Sequence, residues 1–262
     1  MNLLFNNFDV KKIKTEKLIK EPFPYFYVDG FLDVNFAEKI LETFPSFEES
    51  LIQGKNFNAY KEKNKTQITD SNLFPEPIKK LNNILSSDEF VNALSEIFEI
   101  PDLIADPELV GGGIHQTSNG GKLDVHVDFN YMKKNGLYRR INVLVYFNKD
   151  WLESYGGFFE LWDENVENRL LSCKPDFNRM CCFLTNEISF HGVTEVKCPE
   201  NITRRSYAAY YYTKLPPNNW SGSHHSTIFK PRPNERYLYL FYNAVEKFKT
   251  TMKSLKKIIK NK

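Results

Sequence analysis

Leu123-Asp124-Val125-His126-Val127-Asp128-Phe129-Asn130 alternates apolar and polar residues with the period of a β-strand. Residues i and i+2 of a strand point to the same side, so His126 and Asp128 bring an imidazole and a carboxylate together. His191 lies much later in the chain and has to arrive from another strand of the same barrel. Two imidazoles and one carboxylate can occupy one face of an iron(II) octahedron, leaving the other positions for a bidentate co-substrate and dioxygen. His-x-Asp alone occurs by chance in many chains, and its weight here comes from its surroundings.

A cationic strand follows His191. Thr203-Arg204-Arg205-Ser206-Tyr207-Ala208-Ala209-Tyr210-Tyr211-Tyr212 is rich in tyrosine and is followed by Pro216-Pro217, which reads as a strand with a stop. A guanidinium holds a carboxylate through a two-pronged, charge-assisted hydrogen bond. 2-Oxoglutarate needs such a cation, because its keto-acid end chelates iron and its far carboxylate requires a fixed partner. Arg204 and Ser206 share a strand face, which favours them over Arg205. Asn130 and Asn142 lie beside the same site, where either can orient substrate or co-substrate; Asn142 joins Arg204 and Ser206 as a candidate co-substrate contact.

The rest of the chain divides into three stretches. Residues 1–110 read mainly as helix, with Phe36–Phe44 and Asp88–Ile97 as amphipathic segments capped by Asp33 or Asn35 and by Ser86, Ser87 or Asp88. Tyr25–Val28 reads as a strand, and the polar run from Gly54 to Asn72 as a solvated loop, with a flap over the substrate as its functional alternative. Residues 111–215 read as short strands separated by turns: Arg140–Phe147, Phe158–Trp162 and Met180–Leu184. With the triad, this pattern points to an α+β, β-rich fold, a double-stranded β-helix (jelly roll) with the N-terminal helices packed on one sheet. Residues 1–230 are expected to form one catalytic domain. Residues 231–262 become a basic amphipathic helix after Pro231-Arg232-Pro233, and its lysine face reads as solvated.

Read together, these segments resemble the iron(II)/2-oxoglutarate dioxygenases, in the branch similar to the prolyl 4-hydroxylase catalytic domain. The resemblance is carried, in order, by Gly111-Gly112-Gly113-Ile114-His115, the His126/Asp128 strand, Arg140-Ile141-Asn142-Val143-Leu144-Val145-Tyr146-Phe147-Asn148, Trp151, Gly156-Gly157-Phe158-Phe159-Glu160-Leu161-Trp162, His191-Gly192 and the Arg-Arg-Ser strand. It extends from Pro22 to about Pro233. It implies His126, Asp128 and His191 as iron ligands, with 2-oxoglutarate and O2 as co-substrates and ascorbate as an auxiliary reductant. It also implies oxidative decarboxylation to succinate and CO2 coupled to hydroxylation of a C–H bond. Related halogenases replace the carboxylate ligand with a small residue, so Asp128 points to hydroxylation. Two positions depart from the prolyl hydroxylase pattern: Leu123 stands where a tyrosine is frequent, and Arg204 where the anchor is commonly lysine. A cupin-like metal-dependent isomerase or small-ligand binding protein is the alternative, although it has no need of the Arg-x-Ser strand.

Bulk properties narrow the partners. The chain has 262 residues, 41% hydrophobic and 15% aromatic, with a net charge of +2. This argues against a global nucleic-acid binder and leaves a small molecule or a peptide as the expected substrate. Residues 1–20 carry no apolar core of signal-peptide length, and no stretch approaches a membrane span. Cys173, Cys181, Cys182 and Cys198 lack zinc-type spacing and are expected as free buried thiols in the cytoplasm. His115 reads as a core histidine or one beside the site, His224-His225 as a loop pair, and Trp162 and Tyr146 as core.

Overall fold

Alternation along the tyrosine-rich strand decides the layering of the molecule. Ala208, Tyr210 and Tyr212 belong to one apolar cluster, whereas Tyr207, Ala209 and Tyr211 belong to another built with the helices. The computed structural model describes residues 4–218 and 220–237. A short helix α1 (Val10–Lys12) precedes β1 (Tyr25–Asp29), α2 (Val34–Glu42) and α3 (Phe47–Gln53). The hairpin β2 (Lys55–Ala59) and β3 (Glu62–Ile68) leads to α4 (Glu76–Leu85), α5 (Asp88–Phe98) and β4 (Ile104–Ala105). The remaining strands are β5 (Gly113–Val127), β6 (Tyr131–Met132), β7 (Leu137–Tyr146), β8 (Phe159–Trp162), β9 (Arg169–Cys173), β10 (Arg179–Leu184), β11 (Phe190–Val193), β12 (Arg204–Thr213) and β13 (Ile228–Phe229).

The strands pair antiparallel in the order β1-β10-β7-β12-β5-β11-β8-β9. β5 belongs to both halves of this sheet. Its residues 113–117 pair with β12, whereas Leu123 and His126 pair with β11. The bend between them passes through Gly120, with φ +70°, and Gly121, where a Cβ would come within 2.3 Å of Thr117 Cγ2 and 2.9 Å of the Lys63 carbonyl oxygen. Beyond the bend the halves face each other. The Phe159 and Phe183 rings meet at 5.3 Å, and the Cys173 and Cys181 sulfurs approach to 3.0 Å. This is the jelly-roll architecture expected from the strand pattern.

The helices cover the outer face. Phe36 and Ile40 of α2, Ile78 and Leu81 of α4, and Phe90 and Leu94 of α5 pack on Val143, Val145, Cys182, Tyr207 and Tyr211. Local chemistry starts these helices as expected: the Asp33 carboxylate accepts from Phe36 N–H, and the Ser87 hydroxyl from Phe90 N–H. The run from Gly54 to Asn72 departs from its reading as a loop. It contains the β2–β3 hairpin, which extends the sheet beside β5. Lys55, Phe57 and Ala59 alternate with Asn56 and Asn58, and Lys63, Lys65 and Gln67 with Asn64 and Thr66, so the alternation that marks a strand carries little hydrophobic contrast. The basic helix expected at the C-terminus lies, from residue 238 onward, outside the described residues. Among the described residues no helix is long and apolar enough to cross a membrane.

Arg232 draws the segment after β13 back onto the barrel. Its Nε donates to Glu160 Oε2 at 2.8 Å, and a terminal nitrogen donates to the Val193 carbonyl at 3.1 Å. Glu160 is 1% exposed, and its other oxygen takes Arg169 at 2.9 Å. Removing one partner of a buried pair strands the remaining charge. Arg232→Ala is therefore expected to destabilise the fold by about 3–5 kcal/mol, read as a lower urea midpoint, with Arg169→Ala milder because Arg169 is half exposed.

Candidate active site

The strand register brings the three predicted metal-binding residues together. His126 on β5 and His191 on β11 are direct cross-strand partners, with ring centroids 4.3 Å apart. Asp128 follows the last residue of β5. Each imidazole is oriented by a backbone carbonyl: His126 Nδ1 lies 2.9 Å from the Asp124 oxygen, and His191 Nδ1 lies 3.0 Å from the Ser189 oxygen. A carbonyl only accepts, so each Nδ1 carries the proton and each Nε2 presents a lone pair. These Nε2 atoms lie 3.6 Å and 3.4 Å from the Asp128 carboxylate oxygens. One donor atom from each of the three residues falls within 4.8 Å of the others, a donor set that could hold a metal ion.

Burial and charge prepare these groups for a cation. Burial and the neighbouring His126 hold the His191 pKa down to about 3, so this imidazole is neutral near pH 7. Burial pushes the Asp128 carboxyl up, but Arg139 and the two imidazoles outweigh it and hold the group well below the usual carboxylate range. Arg139 places a terminal nitrogen 3.1 Å from Asp128 Oδ2 and donates Nε to Asn142 Oδ1 at 3.0 Å. Asn142 donates Nδ2 to the same Asp128 oxygen at 2.8 Å. The Arg139 guanidinium also stacks 3.6 Å from the Tyr210 ring centroid. Sequence reading placed Asn142 at the site but missed Arg139. The two are three residues apart, so strict alternation would put them on opposite faces. A register shift opposite Tyr211 and Tyr212 leaves Arg140 of β7 as the extra residue, with Tyr210 opposite Asn142 and Tyr212 opposite Arg139, so both Arg139 and Asn142 reach the interior.

The triad lies in a cavity of about 450 Å³ whose wall includes His115, Asn142, Leu144, Phe159, Phe183 and Phe229. Arg204 and Ser206 face the same interior but are not part of that wall, and both are buried. Ser206 pairs across the sheet with His115 on β5 and Tyr146 on β7. Arg204 donates Nε to the Gly157 carbonyl at 2.6 Å and lies 4.9 Å from the Tyr146 ring centroid. Gly157 is required there, because a Cβ would sit 3.0 Å from Arg204 Cδ. The Tyr146 hydroxyl is fully buried with no hydrogen-bond partner among the described residues. An unsatisfied hydroxyl beside a guanidinium suits a carboxylate acceptor. Reading Tyr146 as core captured its burial but not this hydroxyl. Arg205 points the other way, towards the Phe44 ring at 5.9 Å. His224 stacks on Tyr131 at 3.9 Å, away from the triad.

The sequence model of the 2OG-Fe(II) oxygenase superfamily matches residues 112–212, the stretch that contains His126, Asp128, Arg139, Asn142, His191, Arg204 and Ser206. That stretch is an oxygenase domain of the iron(II)/2-oxoglutarate type. The structure of a Trichoplax adhaerens prolyl hydroxylase, solved with a peptide fragment of the hypoxia inducible factor oxygen degradation domain, superposes with a TM-score of 0.55. It is 16% identical, and the match covers 78% of this chain and 87% of that one. A Pseudomonas putida prolyl-4-hydroxylase superposes with a TM-score of 0.56 at 12% identity, covering 79% and 97%. At this identity the likeness is one of fold. A comparison with curated protein sequences gives no match. Enzymes of this family use iron(II), 2-oxoglutarate and O2, and the oxygenase assignment displaces the cupin-like alternative.

The Arg139 network generates a test. In Arg139→Met the Asp128 carboxylate loses its cation and Asn142 loses its tether, and substitutions of this kind typically weaken metal binding about 10–100-fold. The wild-type carboxyl is held low, so its contribution persists above its ordinary pKa and is lost only in strong acid. Without Arg139 its pKa rises, and metal binding should begin to fail at a higher pH. Cobalt(II) titrations of the two proteins across pH 4–8 check both expectations.

Proposed function

We propose that His126, Asp128 and His191 hold the iron(II) of this oxygenase and that Arg204 receives the far carboxylate of 2-oxoglutarate. The observation that carries this reading is the meeting of three donor atoms from these residues within 4.8 Å, beside a cavity large enough for ligands. Ser206 and Asn142 would complete the co-substrate site: Ser206 shares the inner face with Arg204, and Asn142 lines the cavity while holding Asp128. The unsatisfied Tyr146 hydroxyl supports a carboxylate at this position.

When bound, the iron supplies activation of O2 coupled to decarboxylation of 2-oxoglutarate to succinate and CO2, and hydroxylation of a substrate C–H bond. The chain's own residues supply orientation and exclusion of water. The two backbone carbonyls fix the imidazole tautomers, Arg139 and Asn142 keep the Asp128 carboxylate ionised and aimed, and Phe159 and Phe183 give the cavity an apolar lining beside His191.

The substrate in this reading is a small molecule or a peptide, with no nucleic-acid partner. Residues 1–230 act as one catalytic domain, with support in 1–110 and the jelly-roll core in 111–215, and the basic segment 231–262 starts on this domain through Arg232. A cytoplasmic setting is supported by four buried cysteines, none in a disulfide.

Two measurements test the assignment. His126→Ala is expected to lose iron(II) binding, seen as loss of the absorption band that 2-oxoglutarate induces in the iron-loaded protein, while circular dichroism stays unchanged. Arg204→Ala is expected to raise the 2-oxoglutarate requirement by the equivalent of about 2–5 kcal/mol, as for one member of a buried charge pair, and Arg205→Ala only slightly. Normal turnover by His126→Ala, or the reverse ranking of the two arginines, would contradict it.

A further inference from the structure

The β2–β3 hairpin brings a second set of charged side chains to the cavity, and the oxygenase reaction leaves them unexplained. Lys55 pairs across the hairpin with Gln67, and Phe57 with Lys65. All four line the cavity that holds the triad, as does Glu62. Lys65 is largely buried, with its side chain 13% exposed, and its ammonium lies 2.7 Å from Glu62 Oε1. Two carboxylates line this cavity, Asp128 and Glu62. Asp128 is engaged by Arg139 and the imidazoles, and Glu62 by Lys65. Lys55 has no ion pair among the described residues, so the cavity wall carries an uncompensated ammonium.

The surroundings add to this charge. Lys61 stands over the ring of Phe229, which also lines the cavity, at 5.1 Å, and Lys122 stands over Tyr60 at 4.4 Å. Lys122 is paired with Asp124 at 2.7 Å, so the charge that reaches the cavity wall from this side is that of Lys55 and Lys65 against Glu62. A concave site bordered by one sign of charge concentrates ligands of the opposite sign. The deeper wall, with Leu144, Phe159 and Phe183, is apolar.

We propose that Lys55 and Lys65 bind an anionic group, a carboxylate or a phosphate, on the substrate, so that its apolar C–H portion is directed inward to the triad. This rests on the assignment of the triad as the metal centre and of Arg204 as the co-substrate anchor. Lys65, Thr117 and Arg204 stand in register across β3, β5 and β12, so the two cations share one inner row. Arg204 serves the co-substrate at the β12 side, and the hairpin lysines serve the substrate at the β2–β3 side.

The test uses the full chain loaded with cobalt(II) and 2-oxoglutarate, with inorganic phosphate and acetate as probes. Paramagnetic relaxation of the 31P and 13C signals reports whether the anion sits near the metal, and the cobalt absorption spectrum reports metal and 2-oxoglutarate binding in the same sample. Wild-type protein is expected to relax at least one anion saturably. The Lys55→Met/Lys65→Met variant is expected to bind it about tenfold more weakly or worse, the loss of one or two charge-assisted contacts, with 2-oxoglutarate affinity retained. Lys55→Gln, at an exposed strand position, should show a partial loss, Lys65→Arg should keep binding, and Lys149→Met, far from the cavity, should change nothing. Absence of saturable relaxation in the wild type, or equal relaxation in the double variant, overturns the inference and leaves the lysines as guards of an edge strand. Loss of 2-oxoglutarate affinity in the double variant also overturns it, by making them co-substrate cations. Failure of the wild type to bind cobalt would sink the metal-centre assignment itself, and this inference with it.

Discussion

The constraint on which the structure depends is that one strand, β5, serves both halves of the barrel. Its first part pairs with β12, which carries Arg204, and its last part pairs with β11, which carries His191. The bend at Gly120-Gly121 therefore sets the spatial relation between the paired imidazoles of His126 and His191 and the cationic strand. A side chain at Gly121 would collide with the strand's own Thr117 and with β3. The continuity of backbone hydrogen bonding along β5 means that the two parts of the site cannot drift independently.

The interior uses two buried arginines in opposite ways. Arg139 is engaged by a carboxylate, an amide and an aromatic face. It neutralises Asp128, whose charge would otherwise be costly to bury, and so keeps the carboxylate ionised without a metal. Arg204 donates to the Gly157 carbonyl and lies over the Tyr146 ring, beside a buried hydroxyl with no geometric hydrogen-bond partner among the described residues. The cost of a buried, under-satisfied cation is tolerable where a ligand carboxylate supplies the missing contacts. The two buried guanidiniums thus differ in their surroundings: Arg139 meets a carboxylate and an amide, Arg204 a backbone carbonyl and an aromatic ring.

The cavity is asymmetric in polarity. Its deep wall is aromatic and aliphatic, whereas the β2–β3 side is lined by lysines. The hairpin is an edge element, and inward lysines on an edge both discourage strand addition and charge the cavity. The same residues can satisfy both demands because the hairpin's outer strand has no further neighbour among the described residues.

The triad was legible because a period of two within one strand is a local property: His126 and Asp128 need only their own backbone to converge. The same rule separated Arg204 from Arg205 by face, and helix caps such as Asp33 and Ser87 bond within their own first turn, so they too could be read in isolation. The β2–β3 hairpin was not legible, because its strands carry mostly polar residues with little hydrophobic period, and only the pairing of β3 with β5 and of β2 with β3 brings Lys65 and Lys55 to the cavity. Arg139 was hidden for a related reason: it reaches Asp128 through a register shift with β12, a strand some seventy residues away. The unsatisfied Tyr146 hydroxyl also exists only after folding, since burial without a partner is a property of the assembled interior. The sequence by itself pointed to the reaction class and to three residues whose donor atoms the fold brings together. Only the tertiary structure decided which charges are paired and which face the cavity, because pairing depends on distances across strands that local alternation does not encode.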